Sequence, residues 1–180
     1  MKRILSIFIC VIVILNIGAA SVIEESADTL NKMKILNGYE DGSLRLQNNI
    51  TRAEFCALIM NMLALDIDEN LSNKFSDVKE GAWYYNSINK VAELGYINGY
   101  AEDGTFRPAN NITFAESCAI MINVLGYKSD SEEIWPNNVI NKAKELGITE
   151  GLKDTLEASY KMTRGEISVM LINSMNIKVS

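Results

Sequence analysis

One arrangement occurs three times along the chain and limits what the chain can fold into. Between Asn98 and Glu116, a Gly-Tyr pair, a turn at Asp103-Gly104 and a proline precede Thr113-x-x-Glu116 and an apolar run. Thr-x-x-Glu is a capping box, in which each side chain accepts a backbone N–H that a helix start leaves unpaired. The pattern returns at Thr51-x-x-Glu54 and Thr163-x-x-Glu166. A spacing of about 50–60 residues indicates a repeat protein with three helix–loop–helix units.

The helix that follows each of these threonines is apolar on nearly every face. The three runs read Phe-Cys-Ala-Leu-Ile-Met, Cys-Ala-Ile-Met-Ile and Ile-Ser-Val-Met-Leu-Ile. A helix that is apolar all round must be buried all round. Three equivalent helices achieve this by packing on a common axis, with the other helices outside. We therefore predict an all-α fold in which the repeats form a pseudo-threefold bundle; a linear solenoid is the competing arrangement.

Several motifs resemble those of the S-layer homology (SLH) domain. They are Ile50-Thr51-Arg52-Ala53-Glu54, the run from Gly99 to Pro108, Phe75-Ser76-Asp77-Val78, and Trp83. The resemblance extends from about residue 27 to 177 and is most complete in the middle repeat. It implies a secreted module that binds non-covalently, through grooves between repeats, to an acidic, pyruvylated secondary cell wall polysaccharide of a Gram-positive-type wall.

The chain divides into four segments. Residues 1–20 have a basic start at Lys2-Arg3, an apolar run and small residues, which predicts a cleaved signal peptide. A retained membrane anchor is the alternative, but a spanning helix needs about 20 apolar residues. Repeat one is predicted at 21–70 and is truncated at its front, repeat two at 71–128, and repeat three at 129–180. We therefore expect a secreted protein of the cell wall or S-layer.

Helical spacing predicts which residues of the first helix of each repeat face the core. The Phe-x-Asp and Trp motifs of repeat two are missing from repeat one, and the Asp-Gly-Thr-Phe-Arg-Pro motif is missing from repeat three. Gly95 is predicted to end the helix of repeat two. The expected inward positions are Ala27, Leu30, Met33 and Ile35 or Leu36 in repeat one, Trp83, Ile88, Val91 and Leu94 in repeat two, and Trp135, Ile140, Ala143 and Leu146 in repeat three.

Composition excludes several kinds of chemistry. The chain has no His, which removes Ser-His-Asp triads, Cys-His dyads and most catalytic zinc sites. The net charge of −6 becomes −8 without Lys2 and Arg3, which argues against nucleic acid as a partner. Asp66-x-Asp68-x-Asn70 lacks the glycine that a calcium loop requires, so a solvated linker is favoured. We predict no enzymatic activity, no cofactor and no metal; a glycan hydrolase with paired carboxylates is a remote alternative.

Arg52 and Arg164 each follow a cap threonine, where the helix dipole normally favours acidic residues. Two interpretations are open. Each arginine forms a salt bridge with a neighbouring repeat's Asp or Glu, or it binds a ligand carboxylate together with free backbone N–H groups. The SLH resemblance favours binding. Repeat two has Phe114 at this position, so we predict that it contributes little charge recognition.

Aromatic and glycine residues complete the predicted site. Trp83 and Trp135 either pack in the core or stack on a sugar ring. A glycine at the adjoining loops either permits a positive φ or lets a ligand approach the backbone closely. The predicted carbohydrate-binding residues are Arg52, Arg164, Trp83, Trp135, Gly38, Gly99, Tyr39 and Tyr100.

Two further predictions concern the cysteines and the partner. Cys56 and Cys118 lie in apolar helix sequence, so we favour free buried thiols over a disulfide. The expected partner is the secondary cell wall polysaccharide. Because SLH triplets usually tether another domain and this sequence ends at Ser180, a structural or adaptor scaffold for another surface protein is the alternative.

Overall fold

A computed structural model of the chain describes residues 22–67, 71–129 and 132–180. The predicted signal peptide lies outside these ranges, as does most of the calcium-like segment. Within them the secondary structure is helical, with isolated β-bridges and no sheet. The six helices are α1 (residues 22–32), α2 (Arg52–Met62), α3 (Tyr85–Glu93), α4 (Phe114–Val124), α5 (Asn137–Glu145) and α6 (Arg164–Met175). None of them, within the described ranges, has the length and hydropathy needed to cross a membrane.

The three predicted capping boxes start α2, α4 and α6. Each cap threonine has extended backbone angles, with φ between −80° and −89° and ψ of 160° to 162°. Its hydroxyl accepts the N–H of the glutamate three residues on, at 3.2 Å. The glutamate carboxylate accepts the threonine N–H at 2.8–2.9 Å. The prediction of all three helix starts is confirmed.

A ring of three backbone hydrogen bonds joins the residues that precede the cap threonines. Ile50 N–H donates to the Met162 carbonyl, Met162 N–H to the Ile112 carbonyl, and Ile112 N–H to the Ile50 carbonyl, each at 3.0 Å. The ring returns to its starting residue, as a threefold arrangement requires. A linear solenoid would leave its first and last repeats unjoined. The pseudo-threefold bundle is therefore confirmed and the solenoid excluded.

The first turns of α2, α4 and α6 are also completed by a neighbouring repeat. The N–H groups of Arg52, Phe114 and Arg164 donate to carbonyls of Asn110, Tyr160 and Asn48 at 2.8–2.9 Å. The N–H group after each of these donates to a second carbonyl of the same neighbouring loop at 2.9–3.1 Å. Buried helix starts must have such partners, because unpaired N–H groups in a core are costly. These hydrogen bonds connect each repeat to the next around the axis.

The inner helices α2, α4 and α6 contribute 16 of the 33 buried apolar residues in the described ranges, the largest share of the core, as the apolar runs predict. Each packs against the first helix of the following repeat, α2 against α3 and α4 against α5. The third pairing joins α6 to α1. Gly165 in α6 lies so close to Ile23 that a Cβ built on it would be 2.6 Å from the Ile23 Cγ2 atom. The outer helices thus cover the joints between repeats.

Four of the predicted inward positions are exposed. Met33 is 53% exposed because α1 ends at residue 32 and Lys34 turns the chain with φ of 63°. Trp83 (66%) and Trp135 (55%) precede α3 and α5, so they do not lie on the helical faces. Leu94, the C-terminal cap of α3, is 41% exposed.

The remaining predictions for α3 are correct. Ile88 and Val91 are fully buried on the face that the helical spacing indicated. Gly95 follows the C-cap with φ of +76°, and the N–H of Tyr96 donates to the carbonyl of Val91 at 3.1 Å. A left-handed glycine with this backward hydrogen bond is the usual way in which a helix ends. The prediction that Gly95 ends the helix is confirmed.

Candidate functional site

A cleft of about 240 Å³ lies where all three repeats meet at the outer surface. It contains four of the residues predicted for carbohydrate binding, and they come from different parts of the sequence. Arg52 belongs to repeat one, Gly99 and Tyr100 to repeat two, and Trp135 to repeat three. The full lining is Arg52, Tyr96, Ile97, Asn98, Gly99, Tyr100, Glu116, Ala119, Ile120, Asn123 and Trp135.

Arg52 is held from three sides at the base of this cleft. The side chain donates from Nε to the Phe106 carbonyl at 2.9 Å and from Nη2 to the Asn98 carbonyl at 3.1 Å. Its Nη1 lies 2.8 Å from Oε1 of Glu116. The salt bridge to a neighbouring repeat, one of the two interpretations of the sequence, is therefore present. A guanidinium has five N–H donors. Three have acceptors here, and one remains on each terminal nitrogen.

The other interpretation needs one correction. It supposed that Arg52 acts together with free backbone N–H groups at the start of α2. Those groups donate to the carbonyls of Asn110 and Pro108, and the third donates to the Thr51 hydroxyl. The backbone N–H groups at the start of α2 are therefore already occupied, so an anion at this place has to be bound by side chains or by the neighbouring loop. The ligand role of Arg52 itself stays a prediction.

Glu116 connects the capping box of α4 to the arginine. Its Oε2 accepts the N–H and the hydroxyl of Thr113, both at 2.8 Å, and its Oε1 accepts the Tyr100 hydroxyl at 2.9 Å. Burial acts to raise the pKa of Glu116, but the hydrogen bonds from Thr113 and the charge of Arg52 outweigh it, so the pKa lies below its ordinary value. The sequence indicated only the cap, because Arg52 is 64 residues away.

Two arginine side chains lie over the ring of Tyr100. The Arg107 Cζ lies 3.7 Å from the centre of the Tyr100 ring, and the Arg52 Cζ lies 5.1 Å from it. Arg107 has a left-handed φ of 58°, and Asp77 fixes this turn by accepting the N–H groups of Phe106 and Arg107 at 2.7 Å. Burial, together with the hydrogen bond to Glu116, raises the pKa of Tyr100. The Phe-x-Asp-Val and Phe-Arg-Pro motifs signalled this loop but not its stacking role.

Gly99 is required by packing rather than by a positive φ. A Cβ on Gly99 would lie 2.5 Å from both the Phe75 ring and the Thr105 carbonyl. Gly38, at the equivalent place in repeat one, is less confined, since its Cβ would lie 3.3 Å from the Ser43 carbonyl. Neither glycine has φ in the left-handed region, so that interpretation is wrong for both.

The second arginine occupies an equivalent but looser site. Arg164 donates to the carbonyls of Leu44 and Asn37 at 2.9 and 3.0 Å, while its Nη1 lies 3.5 Å from Glu54. Tyr39 is stacked in the same way, 5.1 Å from the Arg164 Cζ and 3.8 Å from the Arg45 Cζ. The structure therefore places Arg164, Gly38 and Tyr39 together.

Trp83 lies beside this second site rather than in one cleft with Arg164. It lines a cleft of about 330 Å³ that also includes Glu54, Tyr84 and Pro108. Its ring packs edge-on against Tyr84 with centroids 5.4 Å apart. Glu54 is the residue that both neighbourhoods share.

The third equivalent position has no arginine. Phe114 is buried there, and the carboxylate of Glu166 accepts hydrogen bonds from Thr163 and, at 3.2 Å, from the Tyr160 hydroxyl. The three sites are thus built on one plan with different charges. An asparagine on each inner helix supports the loop behind them, donating to the carbonyls of Ile35, Tyr96 and Ile148 at 3.0–3.3 Å; they are Asn61, Asn123 and Asn173.

Both described cysteines are free and buried, which confirms that prediction. Burial raises the pKa of each thiol to about 12. A thiol with so high a pKa is almost entirely protonated at neutral pH and is a poor nucleophile. Cys56 and Cys118 therefore act as small apolar residues of the core.

Comparison with known proteins gives one consistent match. Residues 21–56, 74–116 and 129–167 match the S-layer homology domain. The chain is 31% identical over 157 residues to the Middle cell wall protein of Brevibacillus brevis and 28% identical over 162 residues to the Surface layer protein of Brevibacillus choshinensis. These alignments cover 86% and 88% of the chain, which spans only 14% of the length of either relative.

A third relative is the Cellulosome-anchoring protein of Acetivibrio thermocellus, which is 32% identical over 168 residues. That alignment covers 84% of the chain and 37% of the relative. Some other relatives carry the names of enzymes, and the matched segment is 8–14% of their length.

Proposed function

The chain belongs to the S-layer homology domain family, and we propose that its inter-repeat clefts bind an acidic, pyruvylated secondary cell wall polysaccharide. Family membership makes it an anchoring module of the cell wall and cell surface. We further propose that the protein is secreted and that its ligand is acidic. The residues that we assign to ligand binding are part of the same proposal.

The observation that carries the proposal is the composition of the Arg52 cleft. Trp135 is 55% exposed at its rim, so its ring is available to the C–H face of a sugar. Arg52 retains two N–H donors, and a carboxylate on the sugar is the acceptor that suits them best. The loop from Asn98 to Tyr100 supplies a wall of the cleft, and Arg107, whose turn is held by Asp77, lies over the Tyr100 ring of that wall.

The three sites should contribute unequally. The Arg52 and Arg164 sites each offer a guanidinium beside a stacked tyrosine. The Phe114 site offers no donor of that kind, so we assign it little or no recognition of charge. Two modest sites on one module can hold a repeating polymer far more tightly than either site alone, since the second contact is intramolecular.

We propose that the chain itself has no enzymatic activity. Glu116, the carboxylate of the Arg52 cleft, already accepts hydrogen bonds from the Thr113 backbone and hydroxyl, from Tyr100 and from Arg52. A carboxylate held in this way, with its pKa lowered, is a poor general acid. The function supported is binding.

The experiment is binding of purified wall polymer to Trp135→Ala, with Ile134→Ala as its matched control. Both residues are exposed and adjacent in sequence, so neither change should disturb folding. Only Trp135 lines the cleft. Truncation of a tryptophan that contacts the ligand commonly costs about 1.4 kcal/mol or more, so we expect at least about tenfold weaker binding for Trp135→Ala. Equal affinities for the two variants would remove Trp135 from the site.

A further inference from the structure

The carboxylate of Glu116 forms an ion pair with Arg52, which is the contact that the carboxylate of an acidic ligand would make. It lies 2.8 Å from the guanidinium of Arg52, whose side chain is 4% exposed, and the Tyr100 hydroxyl donates to the same carboxylate oxygen. The strongest anion-binding group of the cleft therefore already has an anion, supplied by the chain. Glu116 itself lines the cleft, so its charge faces any ligand there.

We propose that Glu116 is an intramolecular counter-ion that competes with a ligand carboxylate for Arg52, and that it thereby limits the preference of the cleft for acidic over neutral sugars. This rests on the proposed function. An incoming carboxylate must share Arg52 with Glu116, because only two N–H groups of Arg52 have no acceptor. Glu116 is a positioning residue in this scheme, since it acts through Arg52.

The repulsion involved is large enough to measure. Two carboxylates that share one guanidinium are held within a few ångströms of each other. At such separations in a partly buried site, like charges change an equilibrium about tenfold or more. Glu116 is ionised at neutral pH, because the Thr113 hydrogen bonds and Arg52 hold its pKa low against the effect of burial. Tyr100 remains a neutral donor, since burial and Glu116 raise its pKa.

The three capping-box glutamates of the chain allow the two roles of Glu116 to be separated. The capping-box glutamates Glu116, Glu54 and Glu166 occupy equivalent places and make the same hydrogen bonds to their cap threonines. Their contacts with arginine differ, at 2.8 Å for Glu116 and 3.5 Å for Glu54. Glu166 faces the site where Phe114 stands in place of arginine. The capping role is therefore constant while the role of counter-ion varies.

The test uses Glu116→Gln, Glu54→Gln and Glu166→Gln. A glutamine keeps the capping box, because its amide oxygen accepts the same backbone N–H. The probes are the methyl glycoside of a pyruvate-ketal N-acetylhexosamine and its methyl ester, which differs only by the charge. Calorimetric titration should show that Glu116→Gln binds the acid about tenfold tighter than wild type and the ester equally well. We expect a smaller gain for Glu54→Gln and none for Glu166→Gln.

Each other outcome has a defined meaning. If wild-type protein binds the acid and wall sacculi but Glu116→Gln binds the acid no more tightly, the inference is overturned while the proposed function stands. An equal gain in Glu166→Gln would also overturn it, because the effect would then be one of net charge. If wild type binds neither the acid probe nor sacculi, the proposed function fails and takes the inference with it.

One measurement needs no variant. In wild-type protein labelled with carbon-13, the side-chain carboxyl resonance of Glu116 should shift on titration with the acid probe, because the ligand alters its contact with Arg52. The ester, which brings no second carboxylate to Arg52, should shift the resonance less. A resonance that stays unchanged at saturation with the acid would contradict the competition.

Discussion

Replacing Arg52 by alanine should lower the free energy of unfolding of the protein and weaken its binding to the polysaccharide. The change removes the partner of Glu116, whose side chain is 20% exposed, and leaves the carbonyls of Phe106 and Asn98 without their donors. Breaking a buried ion pair by removing one partner typically costs roughly 3–5 kcal/mol. For Arg164→Ala we expect about 1–3 kcal/mol, because its contact with Glu54 is longer.

Urea unfolding followed by circular dichroism measures both costs, and the chain supplies a matched variant. Arg52→Phe reproduces the third equivalent site, where Phe114 of repeat two stands in place of the arginine and Glu166 of repeat three is buried. We therefore expect Arg52→Phe to be less destabilised than Arg52→Ala. The reasoning is refuted if Arg52→Ala unfolds with the same urea midpoint and slope as wild type. Arg52 would then contribute nothing to the free energy of unfolding. Any loss of binding in Arg52→Ala must be measured below its unfolding transition.

Three further predictions concern the caps, the thiols and pH. Replacing any one of the three cap threonines by Ala should cost about 0.5–2 kcal/mol in urea unfolding, and unmoved midpoints would contradict the capping assignment. Mass spectrometry of the denatured, alkylated protein should find Cys56 and Cys118 reduced, whereas a crosslink between them in non-reduced material would contradict their burial as free thiols. The stability that ionised Glu116 contributes should be fully present above its unfolded pKa near 4.5 and disappear as pH falls through the lower folded pKa; a stability difference between wild type and Glu116→Gln that stays constant down to pH 2 would exclude this.

The sequence predicted the parts of the fold that depend on local hydrogen bonds and on periodicity. A capping box involves four consecutive residues, so all three were found with their helices. The apolar runs required burial on every face, and the ring at Ile50, Ile112 and Met162 shows how the bundle achieves it. Errors arose at helix ends. Met33 and Trp83 fit the helical spacing of the sequence, but α1 ends at residue 32 and α3 begins only at Tyr85.

The sequence predicted several residues of the candidate site but not which of them contact one another. Arg52 and Trp135 belong to different repeats, and no local pattern identified Trp135 as the tryptophan that shares the cleft with Arg52. The acceptors of Arg52 lie 46 to 64 residues away in sequence, so Glu116 was identified only as a cap. Whether the tryptophans are core or surface depended on where two helices begin. Long-range contacts of this kind follow from the closure of the bundle, which spacing alone does not specify.

The most direct test of the central claim is sedimentation of the purified protein, without residues 1–20, with cell wall sacculi. The sacculi are used intact and after chemical removal of their secondary polysaccharide. If the clefts bind that polymer, most of the protein pellets with intact sacculi and stays in the supernatant with stripped ones. Equal pelleting with both would contradict the account and would favour a different wall component or a protein partner.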